Sequence, residues 1–161
     1  MIPRVRVQEA PFDLAAESAD LTAGRADVGG VASFVGVCRA DDGLAALVLE
    51  HYPGMTERAL SDIAAEACAR WPLSGCTVIH RVGRLLPGEP IVLVLTASAH
   101  RAAALEILQR LQEDVTMLQR AIRWGNGDQL FDLFTRTRTI RRSIIDQGQD
   151  DARPDFGRAH D

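Results

Sequence analysis

Two potential cations stand side by side in Ser98-Ala99-His100-Arg101, at the opening of a segment that reads as a long helix. The first turn of a helix ordinarily favours acids, because the macrodipole is positive there. Its backbone N–H groups already form an anion site. A histidine and an arginine added at that end strengthen it for phosphate or carboxylate, and a guanidinium can hold such a group bidentately. The plainer alternative is that Arg101 pairs with a nearby acid and His100 is surface. Arg39 is a third candidate cation, at the end of an apolar strand and just before a turn. Functional side chains are common at such places, and so are solvated loop arginines.

Other reactive residue types give weaker patterns. Glu50-His51-Tyr52 invites an acid–base reading, but neighbours on a strand point to opposite faces, so packing of His51 beside the turn is the simpler account. His80 shares a strand face with Val78 and Val82 and reads as a core or interface histidine. Phe34, at the centre of its strand, reads as core. Cys38, Cys68 and Cys76 are odd in number and lack CxxC spacing, which fits buried free thiols. The histidines and cysteines do not fall at metal-ligand spacings, so neither a zinc site nor a bound cofactor is expected. There is no GxGxxG, P-loop or GxSxG pattern. Arg136, Arg138, Arg141 and Arg142 form the densest basic cluster, by default a solvated face, with an anion pocket or a subunit contact as the alternatives.

The chain has 161 residues, 47% hydrophobic and 25% charged, which is one ordinary globular domain's worth. Its net charge of -4 argues against duplex nucleic acid as a partner but leaves room for a local basic pocket. All 18 of its Lys+Arg residues are arginines, and lysine is absent. The start of the chain lacks the apolar run of a signal peptide, and Ile91–Ala97 is far too short to span a bilayer. A cytoplasmic protein with no membrane partner is the expectation.

These side chains are positioned by an alternation of strand and helix signals. Arg4–Gln8 reads as a short strand, Pro11–Ala19 as weakly helical and Asp27–Gly30 as a turn. Val31–Cys38 reads as a buried strand, followed by an Asp41-Asp42-Gly43 reversal and a returning strand, Leu44–Glu50, paired with it. Pro53-Gly54 makes a turn, proline fixing one dihedral and glycine supplying the other. Leu60, Ile63, Ala64, Ala67 and Trp71 then follow helical spacing until Pro72 stops the helix. Strands at Thr77–Val82 and Ile91–Ala97 flank a Leu86–Glu89 turn, and Ser98 is placed to cap a helix from Ala99 to about Arg120. Leu130, Phe131, Leu133 and Phe134 form an apolar cluster, and Thr135–Arg142 fits either a strand or a helix. Residues 1–146 form one α+β domain in this reading, and 147–161 a frayed polar tail.

Several of these segments share a register with one family. Val31-Ala32-Ser33-Phe34-Val35-Gly36-Val37-Cys38-Arg39, the Leu49–Glu57 run LEHYPGMTE, Arg70-Trp71-Pro72-Leu73, Val78–Gly83 with Pro87-Gly88-Glu89, and Ser98–Arg101 together resemble the large, catalytic subunit of molybdopterin synthase. The likeness covers roughly residues 5 to 111. It implies an α/β-hammerhead-type α+β fold and a homodimer within a heterotetramer. It also implies a partner, a small ubiquitin-like sulfur carrier with a Gly-Gly C-terminus. The carrier's thiocarboxylate would deliver sulfur to cyclic pyranopterin monophosphate, two transfers giving the molybdopterin dithiolene. By the same resemblance Arg39, His100 and Arg101 bind the substrate.

The final third departs from the family. Extending the register without gaps puts Thr116 and Arg123 where the family carries its two lysines, with Trp124 one step from the expected tryptophan. Threonine cannot replace an ammonium that donates protons or forms a covalent adduct. Three accounts stand at this level. The chain is an active synthase in which arginines such as Arg120 or Arg123 substitute, a catalytically silent paralogue that binds carrier or pterin, or a product of a reading frame altered after about residue 111.

Overall fold

The computed structural model describes residues 1–40, 43–51, 53–123 and 135–141, with 116–123 and 135–141 described by backbone alone. The chain runs β1 (Arg4–Gln8), α1 (Leu14–Thr22), β2 (Gly30–Val37), β3 (Leu44–His51), α2 (Met55–Arg70), β4 (Gly75–Arg81), β5 (Gly83–Leu85), β6 (Pro90–Ser98), α3 (Arg101–Arg123) and β7 (Thr135–Arg141). The fold is α+β, as expected. Asp41, Asp42, Tyr52, Trp124, the apolar cluster at 130–134, Arg142 and the proposed tail lie outside the described residues.

Two sheets carry the strands. The first is four-stranded in the order β1-β4-β6-β2, with β1 parallel to β4 and the other pairs antiparallel. The second is β5-β3-β7, antiparallel throughout. The middle pair of the first sheet, β4 and β6, is buried on both faces. On one face Cys76, Val78, Val92 and Val94 pack under Leu60, Ala64 and Ala67 of α2 and Ile107, Leu111 and Val115 of α3. On the other, Ile79, Leu93, Leu95 and Ala97 pack with Leu21 of α1. The strand period of two sorts these residues between the two faces.

Local chemistry starts and stops the helices where it should. The Asp13 carboxylate accepts the Ala15 and Ala16 N–H groups at 2.8 and 3.2 Å, capping α1. At α2 the capping residue is Gly54, at φ 84°, and the Glu57 carboxylate reaches back to its N–H at 2.7 Å. Glycine is required there because that φ lies in the left-handed region. Trp71 and Pro72 then end the helix, as the spacing anticipated.

Three expectations need correction. Leu44–Glu50 does not pair with β2; β3 joins the second sheet, and β2 lies along β6 from Gly30 opposite Ser98 to Val37 opposite Pro90. Asp-Gly chemistry reports a reversal, but the partner is chosen by apolar surface, and β6 offers more of it. Nor is β2 buried throughout: it is the outermost strand of its sheet, beyond the cover of α1, and Val31 and Val37 are 39% and 51% exposed. Ser98 does not cap α3, because it is still paired in β6. The helix begins at Arg101, and the His100 carbonyl accepts the first N–H, from Ala104, at 3.2 Å. Thr135–Arg141, left open between strand and helix, is a strand.

His80, on β4, is 4% exposed. Burial pulls its pKa down to about 4, and nearby His51 adds to the effect. An unfolded histidine titrates near 6.5, so between that pH and about 4 the unfolded chain binds the extra proton. Stability carried by neutral His80 is therefore complete above pH 6.5 and lost as pH falls towards 4, by about 3 kcal/mol. Urea midpoints measured across that range should fall more steeply for the native chain than for His80→Gln. Parallel curves would count against this assignment.

Candidate anion-binding site

The start of β2 and the start of α3 are in backbone contact. Gly29 N–H donates to the Ser98 carbonyl at 3.0 Å. A Cβ at Gly29 would stand 2.1 Å from the Ala99 carbonyl oxygen, and one at Gly30 would stand 3.0 Å from Arg101 Cα. Two glycines in succession thus admit the helix terminus against the strand. Four further bonds hold it there. Thr96 Oγ1 donates to the Ala104 carbonyl at 2.8 Å, and Ser74 N–H donates to the Ala97 carbonyl at 2.7 Å. Ser98 Oγ donates to the Pro72 carbonyl at 3.1 Å and accepts the His100 N–H at 3.4 Å.

On this fixed terminus His100 and Arg101 are exposed, and the first turn of α3 holds no acid. The amides ahead of Ala104 have no carbonyl within the helix by helix geometry. Backbone dipole, guanidinium and imidazole thus belong to one exposed helix start, a combination suited to phosphate or carboxylate. The sequence identified both side chains. It did not identify Gly29 and Gly30, which read only as a turn.

Arg39 is elsewhere. It follows the far end of β2, which at ~3.3 Å per residue is about 23 Å from Gly30 and the start of α3. Helix α3 runs back over the sheet from the Ser98 end of β6 towards the Val92 end, where Ile107, Leu111 and Val115 enter the core beside Val92 and Val94. At ~1.5 Å per residue Thr116 lies about 22 Å along it from Arg101, and Arg123 about 33 Å. The backbone position of Thr116 is thus at the Arg39 end of the sheet. The candidates fall into two groups, His100 with Arg101 at one end and Arg39 with the Thr116 position at the other. One copy of the chain does not bring all of them together.

The remaining reactive side chains are mainly structural. Glu50 is exposed and forms no dyad with His51, whose Nε2 lies 3.8 Å from Glu57 Oε1 across the Pro53-Gly54 turn. Cys38 and Cys76 are buried and Cys68 partly so. Contact with the Cys68 thiol, reinforced by burial, pushes the Cys76 thiol well up, while the same contact lowers that of Cys68. Among the described residues no group of three His, Cys, Asp or Glu side chains could hold a metal. Nor is any helix among them long and apolar enough to cross a membrane. Arg136 and Arg138 lie opposite Glu50 and Val48 in the β3–β7 register.

Comparison with known proteins agrees with this architecture. The family model described as MoaE protein matches residues 7–116. The molybdopterin synthase catalytic subunit of Mesorhizobium japonicum is 60% identical over 114 residues, 70% of this chain and 72% of its own length. The molybdopterin biosynthesis MoaE protein of Burkholderia ambifaria superimposes with a TM-score of 0.66 at 46% identity, over 71% of this chain and 76% of its own. A complex of subunits 1 and 2 of the molybdopterin-converting factor from Helicobacter pylori shares the fold at a TM-score of 0.59 and 21% identity, over 68% and 75% of the two chains. The family match ends at residue 116, so Thr116 stands at its edge and Arg123 beyond it.

The glycine contact can be tested directly. In Gly29→Ala the added methyl meets a backbone carbonyl that cannot rotate away, and the chain should lose about 1–3 kcal/mol in urea unfolding. An unchanged midpoint would mean that β2 and α3 are less tightly apposed than described.

Proposed function

The chain belongs to the MoaE family, and on that premise we propose that it is a molybdopterin synthase catalytic subunit acting in molybdenum cofactor biosynthesis. As a sulfurtransferase it moves sulfur from the C-terminal thiocarboxylate of a small carrier subunit to cyclic pyranopterin monophosphate. The observation that carries the site assignment is the pair of exposed cations at an acid-free helix start, His100 and Arg101 on α3. Thiocarboxylate and cyclic phosphate are both anionic, so their approach is opposed unless fixed cations stand ready to offset it. Arg39, His100 and Arg101 supply that charge. Arg123 serves as the cation where the family carries a lysine, and Thr116 fills the other lysine position without supplying charge.

The two-ended distribution of these residues bears on assembly. Arg39 and Arg101 serve one pocket only if a second copy brings the Arg101 end of one chain to the Arg39 end of the other. A homodimer with two symmetric pockets meets that requirement. The carrier's tail enters each pocket, a reading supported by the two-subunit Helicobacter pylori complex that shares this fold.

A single-turnover assay with thiocarboxylated carrier and cyclic pyranopterin monophosphate should yield molybdopterin. Arg39→Ala and Arg101→Ala should each lower the rate about 100-fold. Dimers re-formed from a mixture of the two variants should recover about a quarter of native activity, since half are mixed and each mixed dimer has one intact pocket. Product without such recovery would sink the shared pocket. No product from the native chain, with carrier binding intact, would make it a silent relative.

A further inference from the structure

Arg81 is a buried charge where packing alone asks for none. It ends β4 with its side chain 6% exposed, and its guanidinium is taken up by backbone carbonyls and one carboxylate. Nε and Nη2 donate to the Glu9 carbonyl at 3.1 and 3.0 Å, and Nη1 donates to the Pro90 carbonyl at 3.0 Å. Glu89 Oε1 lies 3.8 Å from Nη1. Burying a cation is costly, and an apolar side chain of similar volume often packs as well. What the arginine adds is a fixed geometry for two backbone segments, the one after β1 and the one entering β6.

The second of these is the turn Leu86-Pro87-Gly88-Glu89. Gly88 takes a φ of 91°, and Glu89 N–H donates to the Leu86 carbonyl at 3.0 Å. The Glu89 carboxylate closes the same turn a second time, Oε2 accepting the Leu86 N–H at 2.6 Å. Cys38 hangs on this turn by both backbone groups. Its N–H donates to the Glu89 carbonyl at 2.8 Å, and its carbonyl accepts the Gly88 N–H at 2.7 Å. The β2–β6 register shifts just before this point, between Gly36 and Val37, so ordinary strand pairing gives way to the turn's own contacts. Arg39 is the next residue.

We propose that Arg81 and Glu89 are positioning residues for Arg39. They lock the Leu86–Pro90 backbone to which Cys38 is bonded, and Arg39 therefore leaves the sheet in one fixed direction. This rests on the reading of Arg39 as a substrate-binding cation. A guanidinium aimed in advance pays little ordering entropy when the anion arrives, whereas one on a loose loop must be ordered at that moment. The contacts run without a break from the Arg81 guanidinium through Glu89 and Pro90 to Cys38 and so to Arg39.

A double-mutant cycle on the assembled synthase tests this, with kcat and KM measured for cyclic pyranopterin monophosphate. The Glu89 side chain is 39% exposed, so alanine there leaves the core intact, and thermal melting of each variant checks it. Glu89→Ala should lower kcat/KM about tenfold, chiefly through KM. Glu89→Gln, which keeps an acceptor for the Leu86 N–H, should restore most of the loss. Added to Arg39→Ala, the same Glu89→Ala change should cost less than about twofold. Arg81→Lys, which retains charge without the guanidinium fork, should show the same non-additivity and serves if Glu89→Ala fails to fold. Equal losses with and without Arg39, or no loss from Glu89→Ala, would overturn the proposal. A kcat/KM unchanged by Arg39→Ala alone would instead remove the role of Arg39, and this proposal with it.

Discussion

The organisation of this chain depends on β4 and β6, two adjacent, largely apolar strands buried on both faces. Such a pair cannot lie on a surface; it needs cover above and below. That cover dictates where the candidate binding residues can stand. Helices α2 and α3 close one face and α1 the other, and α3 can do so only by starting at the Ser98 end of β6 and running back over it. The cations at the start of α3 are therefore fixed relative to the sheet before any ligand arrives. Their placement is a by-product of burying Val92, Val94, Ile107 and Leu111.

The same packing separates the candidate binding residues. Because α3 and β2 leave the same corner and extend towards the same far edge, the chain sets His100 and Arg101 at one end and Arg39 at the other. A short connection could not have brought them together without giving up the helix cover. In the proposed homodimer, one surface repeated by a two-fold axis would supply both halves of each pocket.

Much of this was legible in residue types. Continuous apolar character at Ile91–Ala97 announced a doubly buried strand, helical spacing from Leu60 to Trp71 announced α2, and Ser98–Arg101 announced the acid-free helix start. What escaped were facts of partnership. The Asp-Gly reversal before Leu44 gave no indication that β3 leaves for the second sheet, because turn chemistry is local and pairing is not. β2 looked buried because its residues are apolar, although its place at the sheet edge exposes Val31 and Val37. The Gly29–Gly30 approach and the Arg81 tie were invisible for the same reason: each is defined by a backbone group many residues away, at Ala99 and at Glu9 and Pro90.

The tie at Arg81 has a further property that comes from its chemistry. A guanidinium does not lose its proton at any pH a cell attains, and the carbonyls it holds do not titrate. The guanidinium end of the tie under Arg39 thus keeps its charge at every such pH, and since the chain carries no lysine, so does every cationic side chain other than histidine. Histidines apart, the positive charge that the side chains of this protein carry is therefore the same whatever the acidity around it.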